Sequence, residues 1–229
     1  MNSMVKYLGF ALLLVGAGCT GDYYSDAYIA ESNEPFQPAS DPVNGDTVML
    51  DHPHSEIAWK GTKLWGRGMH TGIVPIQKGY LLKDGSRLTG GFIQADMTDI
   101  GITDIPPDQP EPIRILTGHL EDEVFFSVED YPTASFRFTD ITYIRSDSLM
   151  VSGNLTIRGV TNGITIPALS TESKSWYISR FRINRFDWGI AYRGGFGKSK
   201  FAARNFVDKY IELTITLAGR ESGLSTNAD

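Results

Sequence analysis

Leu149-Met150-Val151-Ser152-Gly153-Asn154-Leu155-Thr156-Ile157 places an apolar or small side chain at every second position. That is the period of a β-strand wetted on one face. The same alternation runs through Ser135-Phe136-Arg137-Phe138-Thr139, Trp176 to Ile183 and Tyr210 to Leu217, and similar runs occupy His54 to Leu64, His70 to Leu82 and Arg87 to Met97. Turn signals punctuate them at Asp84-Gly85, Ser146-Asp147-Ser148, Arg158-Gly159 and Thr161-Asn162-Gly163. Many closely spaced strands joined by tight turns indicate an all-β antiparallel barrel or sandwich. Pro112 to Glu129 breaks the rule by placing Ile113, Leu116, Leu120, Val124 and Phe125 at helical spacing after a proline-rich loop at Pro106, Pro107 and Pro110. A short helical segment there is expected to cap one end of the barrel.

Outward from this core, the 229-residue chain divides by composition. Residues 1–18 carry Lys6, an apolar run from Tyr7 to Val15 and the small residues Gly16-Ala17-Gly18, the layout of a signal peptide and too short to span a bilayer. Cys19 follows at once, as in the lipobox of bacterial lipoproteins, so lipidation at Cys19 and a membrane anchor in the bacterial cell envelope are expected. Residues 19–45 are rich in Asp, Glu, Ser, Asn and Pro and read as a disordered tether. A single barrel domain is expected over 46–219, with a polar tail at 220–229. With no second cysteine there is no disulfide. A net charge of −6 argues against general nucleic-acid binding.

Several spaced blocks carry a family resemblance. His119-Leu120, Phe125-Phe126 and Tyr131-Pro132-Thr133-Ala134 lead into one strand, Trp59-Lys60-Gly61 through His70-Thr71-Gly72 form a first hairpin, and Gly91-Phe92 through Asp96-Met97 a later strand. Gly153 to Thr161 and Asn184-Arg185-Phe186-Asp187-Trp188-Gly189-Ile190 complete the set. In this order they resemble the YceI-like family over roughly Asp46 to Gly219. The resemblance implies an eight-stranded lipocalin-like barrel whose lumen holds a long polyisoprenoid. Asn184 and Phe186 depart from the family pattern around Arg185, and the Pro106 to Pro112 stretch is unusually rich in proline.

Alternation nominates Trp59, Phe92, Phe136 and Phe138, with Leu155, Ile157, Phe181 and Ile183, as inward residues. Taken alone these rings suit a packed core as well as a lumen; the resemblance favours the lumen. His70 and His119, with Arg185, Arg193, Lys198 and Lys200, are the candidates for a rim that meets a head group. No catalytic residue, cofactor or metal set is expected: no Gly-x-Ser-x-Gly elbow is present, and only His52 and His54 among the four histidines lie close in sequence. The expected function is sequestration or carriage of a polyisoprenoid, quinone or isoprenyl phosphate at the envelope. A solid scaffold barrel and an enzyme using His70 or His119 as base are the alternatives. The expected partners are the lipid ligand, the membrane and, as an admissible assembly, a second copy of the chain.

Overall fold

The computed structural model describes residues 26–37, 45–63, 68–171, 175–190 and 207–220. Residues 1–18, read as a signal peptide, and Cys19, Arg193, Lys198 and Lys200 lie outside the described residues. Twelve strands and one α-helix occur among the described residues. In chain order they are β1 (Tyr28–Ile29), β2 (Asp46–Met49), β3 (Glu56–Lys63), β4 (Met69–Val74), β5 (Ile76–Asp84), β6 (Arg87–Asp96) and β7 (Gly101–Ile102). Then follow α1 (Pro110–Glu121), β8 (Thr133–Tyr143), β9 (Ser148–Ile157), β10 (Val160–Ser170), β11 (Trp176–Asn184) and β12 (Val207–Ala218).

All twelve strands join one curled sheet, antiparallel except where β1 runs parallel to β11. The strand count exceeds the expected eight because three long runs are interrupted and β1 is added. Pro75, which has no N–H to give a ladder, separates β4 from β5. A 3-10 turn at His52–His54 separates β2 from β3, and residues 97–100 separate β6 from β7. Each broken run keeps its direction and its neighbour: β2 pairs β5 as β3 pairs β4, and β5 pairs β6 as β4 pairs β7. With β12 paired to β3, the sheet returns on itself around a shared interior.

The turns follow their residue chemistry. Arg158 (φ 50°) and Gly159 (φ 72°) both sit in the left-handed region between β9 and β10, as a two-residue hairpin of the primed type requires. Thr161-Asn162-Gly163 is not a turn as its composition suggests; all three pair with β9, Gly163 opposite Asn154. The helix starts two residues earlier than its spacing implies, because Pro110 is well suited to a first helical position whose N–H has no partner anyway. It ends at Glu121, so Val124 and Phe125 belong to the turns that follow, Val124 exposed and Phe125 buried.

Residues 26–37, within the stretch read as a disordered tether, instead complete the wall. The β10 and β11 strands pair only at Leu169↔Ile178 and Ser170↔Tyr177 and then splay above Pro167, whose carbonyl accepts a hydrogen bond from Ser179 Oγ at 2.6 Å. The gap takes β1, with Tyr28 opposite Phe181, and an antiparallel bridge of Asn33 to Gly163. Composition missed this segment because it buries only small groups, with Ala30 1 % exposed.

Candidate functional site

Inside the curled sheet lies a cavity of about 550 Å³, within the roughly 300–1,000 Å³ usual for small-molecule sites. Ile57 and Trp59 of β3, Ile93 and Ala95 of β6, and Ala134 and Phe136 of β8 form part of its wall. Leu155 and Ile157 of β9, Phe181 and Ile183 of β11 and Ile211, Leu213 and Ile215 of β12 form the remainder, while Ile115, Leu116 and Leu120 of α1 reach it from above. Apart from the Trp59 indole N–H these groups are apolar, so an occupant gains mainly by leaving water rather than by hydrogen bonding. A second space of about 30 Å³ lies deeper, between Phe138, Tyr177 and Leu217, and shares Ile93, Phe136 and Ile215 with the first.

Six of the eight nominated inward residues line the large cavity: Trp59, Phe136, Leu155, Ile157, Phe181 and Ile183. Phe138 lines only the small chamber, its ring 5.2 Å from that of Phe136. Phe92 faces outward, against Tyr80 at 6.1 Å between ring centroids and under the Arg137 guanidinium at 4.7 Å. The reason is a bulge. Lys83 pairs with Leu88 and Leu82 with Gly90, which leaves Thr89 as an extra residue and moves the inward phase to Gly91, Ile93 and Ala95.

Polar groups collect at the α1 end. His70 Nδ1 lies 2.8 Å from Asp104 Oδ2, and Asp104 Oδ1 accepts the Thr71 N–H at 2.9 Å. The pairing of β4 with β7 brings these distant residues together, which no local signal in the sequence foretold. His119, in the last turn of α1, also reaches the cavity, together with Thr62, Lys63 and Ser135.

Arg185 is not on the rim. It is 1 % exposed and its guanidinium donates to the carbonyls of Asp208 (3.0 Å), Val207 (3.2 Å) and Ile190. Those bonds hold the start of β12 to the 3-10 turn Arg185–Trp188, which the run of alternating basic residues gave no reason to expect. His52 and His54 are also engaged structurally, with Ile76 O at 3.0 Å and Asp51 Oδ2 at 2.7 Å respectively. Among the described residues no three His, Cys, Asp or Glu side chains converge as a metal site.

Among the described residues two buried donors lack partners, Trp59 Nε1 beside the large cavity and the Tyr177 hydroxyl beside the small one. Burial first, and the neighbouring Tyr143 second, push the Tyr177 phenol well above its ordinary pKa.

Residues 49–218 match the family model of the YceI-like domain. A UPF0312 protein of Shewanella oneidensis is 27 % identical over 110 residues, covering 44 % of this chain and 52 % of the relative. The match thus spans about half the length of that relative. Among solved structures, Burkholderia cenocepacia BcnA superposes with a TM-score of 0.55 at 15 % identity, over 73 % of this chain and 98 % of that one. At such identity the likeness is one of fold. A Campylobacter jejuni YCEI protein is aligned over 95 % of this chain and 99 % of its own, at 13 % identity and a TM-score of 0.43.

Proposed function

Since the chain belongs to the YceI-like domain family, we propose that it binds one long apolar lipid, a polyisoprenoid or a prenyl-tailed molecule such as a quinone or isoprenyl phosphate, in the cavity beneath α1. The observation that carries this reading is the apolar hollow of about 550 Å³ inside the sheet. At about 30 Å³ per water-sized group it takes roughly 18 such groups, close to a chain of twenty carbons. Burying them releases about 14 kcal/mol at about 0.8 kcal/mol each. Association costs about 4–15 kcal/mol, so only an occupant that fills most of the hollow binds well. Affinity therefore rises with each prenyl unit until the space is full. An open interior also weighs against a solid scaffold.

Export, lipidation of Cys19 and residence at the envelope membrane belong to the same proposal. The test is mass spectrometry of an organic extract from gently purified full-length protein. A stoichiometric prenyl lipid supports the reading, and empty protein in every preparation contradicts it. Incorporation of labelled acyl chains into the intact chain, abolished by Cys19→Ser, tests the anchor. The His70–Asp104 contact is the one observation that favours a lipid-modifying enzyme. No turnover of any candidate lipid removes that alternative, and turnover unchanged in a His70→Ala/His119→Ala variant removes these histidines as its base.

A further inference from the structure

The wall between β10 and β11 is held by far fewer direct pairs than the seams on either side of it. Two residue pairs hold these strands to each other, whereas ten join β9 to β10 and nine join β11 to β12. Residues 27–36 fill the rest of the seam, and they come from outside the segment that matches the family. They are attached through a short series of contacts, among them Ser32 Oγ, which donates to Asp187 Oδ2 at 2.7 Å. Ala30 N–H donates to Arg182 O, Arg182 Nε donates to Ala27 O, and Asn33 and Gly163 exchange both backbone bonds, each at 2.9 Å. Farther along, Phe36 and Asn154 exchange two more, at 2.8 and 2.9 Å. Only Ala27 and Ala30 are fully buried and the half-buried Phe36 ring lies over Gly163, so a modest apolar area resists removal.

Behind this strand is the lumen, since Ile164 of β10 and Phe181 and Ile183 of β11 line both the seam and the cavity. Adjacent strands lie about 4.8 Å apart, so withdrawing an inserted one leaves β10 and β11 roughly 9.6 Å apart above Pro167. Measured between strand axes, that spacing leaves a clear slot about 4.8 Å wide, the width of the strand withdrawn and about the thickness of a single hydrocarbon chain. We infer that residues 27–36 are a removable stave, and that the β10–β11 seam beneath them is a second, lateral entrance through which an apolar chain enters and leaves the cavity. An entrance along the side spares a prenyl chain from threading end-on past α1.

The inference rests on the cavity being a lipid site, and its test separates the two. Ile29 and Arg182 are register partners on the outer face, and neighbouring strands bring Cα atoms within disulfide range. The full chain carrying Cys19→Ser, Ile29→Cys and Arg182→Cys is loaded with N-phenyl-1-naphthylamine, and release is timed with the bond closed and reduced. The expected result is release at least tenfold slower when closed, with the bound signal unchanged. Equal rates in the two forms overturn the inference while leaving the site intact, and absence of any bound signal overturns the site itself. Amide exchange on the unaltered chain decides the stave without any ligand or variant. The amides of Ala30, Asn33 and Gly163 should exchange together and faster than those of the β9–β10 ladder, and equal protection would make the segment a permanent wall.

Discussion

The α1 end of the barrel is hollow and the far end is nearly full, although the same strands build both. At the α1 end Ala95, Ala134, Ile157 and Ile183 face a space of about 550 Å³, whereas between Leu88, Phe138 and Leu217 only about 30 Å³ remains. Alternation decides which side chains point inward but not how much room they leave. Rings decide that. Phe136 and Phe138 lie over Gly153 and Gly91, where an added Cβ would stand 2.6 Å and 2.8 Å from their edges. The absent side chains let the two rings settle across the interior as a floor, and below it Leu81 and Leu149 are 1 % exposed.

Truncations should separate the two ends most sharply. Leu149→Ala, in the packed end, should cost about 3–4 kcal/mol in denaturant unfolding, because surrounding groups cannot close the void. Ile57→Ala, on the half-buried cavity wall, removes contacts from one side only and should cost about 1 kcal/mol. Equal costs would erase the distinction. Enlargement should act the other way: Ala134→Trp fills the hollow, so it should weaken N-phenyl-1-naphthylamine binding at least tenfold, about 1.4 kcal/mol, at unchanged stability. The matching change at Gly153 should instead prevent folding, because Phe136 occupies that space.

Smaller effects sharpen the chemistry of each end. Tyr177→Phe deletes a buried hydroxyl without a partner and should stabilise by about 1 kcal/mol, raising Tm by about 2–4 °C. Its pH signature has a definite sign. The folded phenol titrates above the unfolded one, so between those two values the unfolded chain has lost the proton and the folded chain retains it. Stability therefore falls as pH rises above about 10, the ordinary tyrosine value, and Tyr177→Phe should flatten that fall. The smallest effect belongs to His70→Ala. It should change affinity for the apolar probe less than twofold, since area rather than polar contact holds the occupant.

Much of this architecture was legible before coordinates. The phase of Leu149 to Ile157 placed Leu155 and Ile157 inward, and the paired positive-φ turn was readable in Arg158-Gly159. Phe92 was misplaced because the bulge at Thr89, which the adjacent Gly90-Gly91 signals, shifts the inward phase by one residue. Arg185 was misread because a buried guanidinium on backbone carbonyls looks, in sequence, like any basic residue beside aromatics. Asp104 and residues 27–36 acquire roles only through partners far along the chain, His70 in one case and β10 with β11 in the other. Local pattern carries no record of such meetings.

The most direct test of the central claim is electron density from crystals of the full chain grown with geranylgeraniol. The account predicts a continuous chain of density running from beneath α1, past Trp59 and Ile183, and stopping at the Phe136 ring. An interior collapsed onto its own side chains, or density confined to the outer surface, would contradict it.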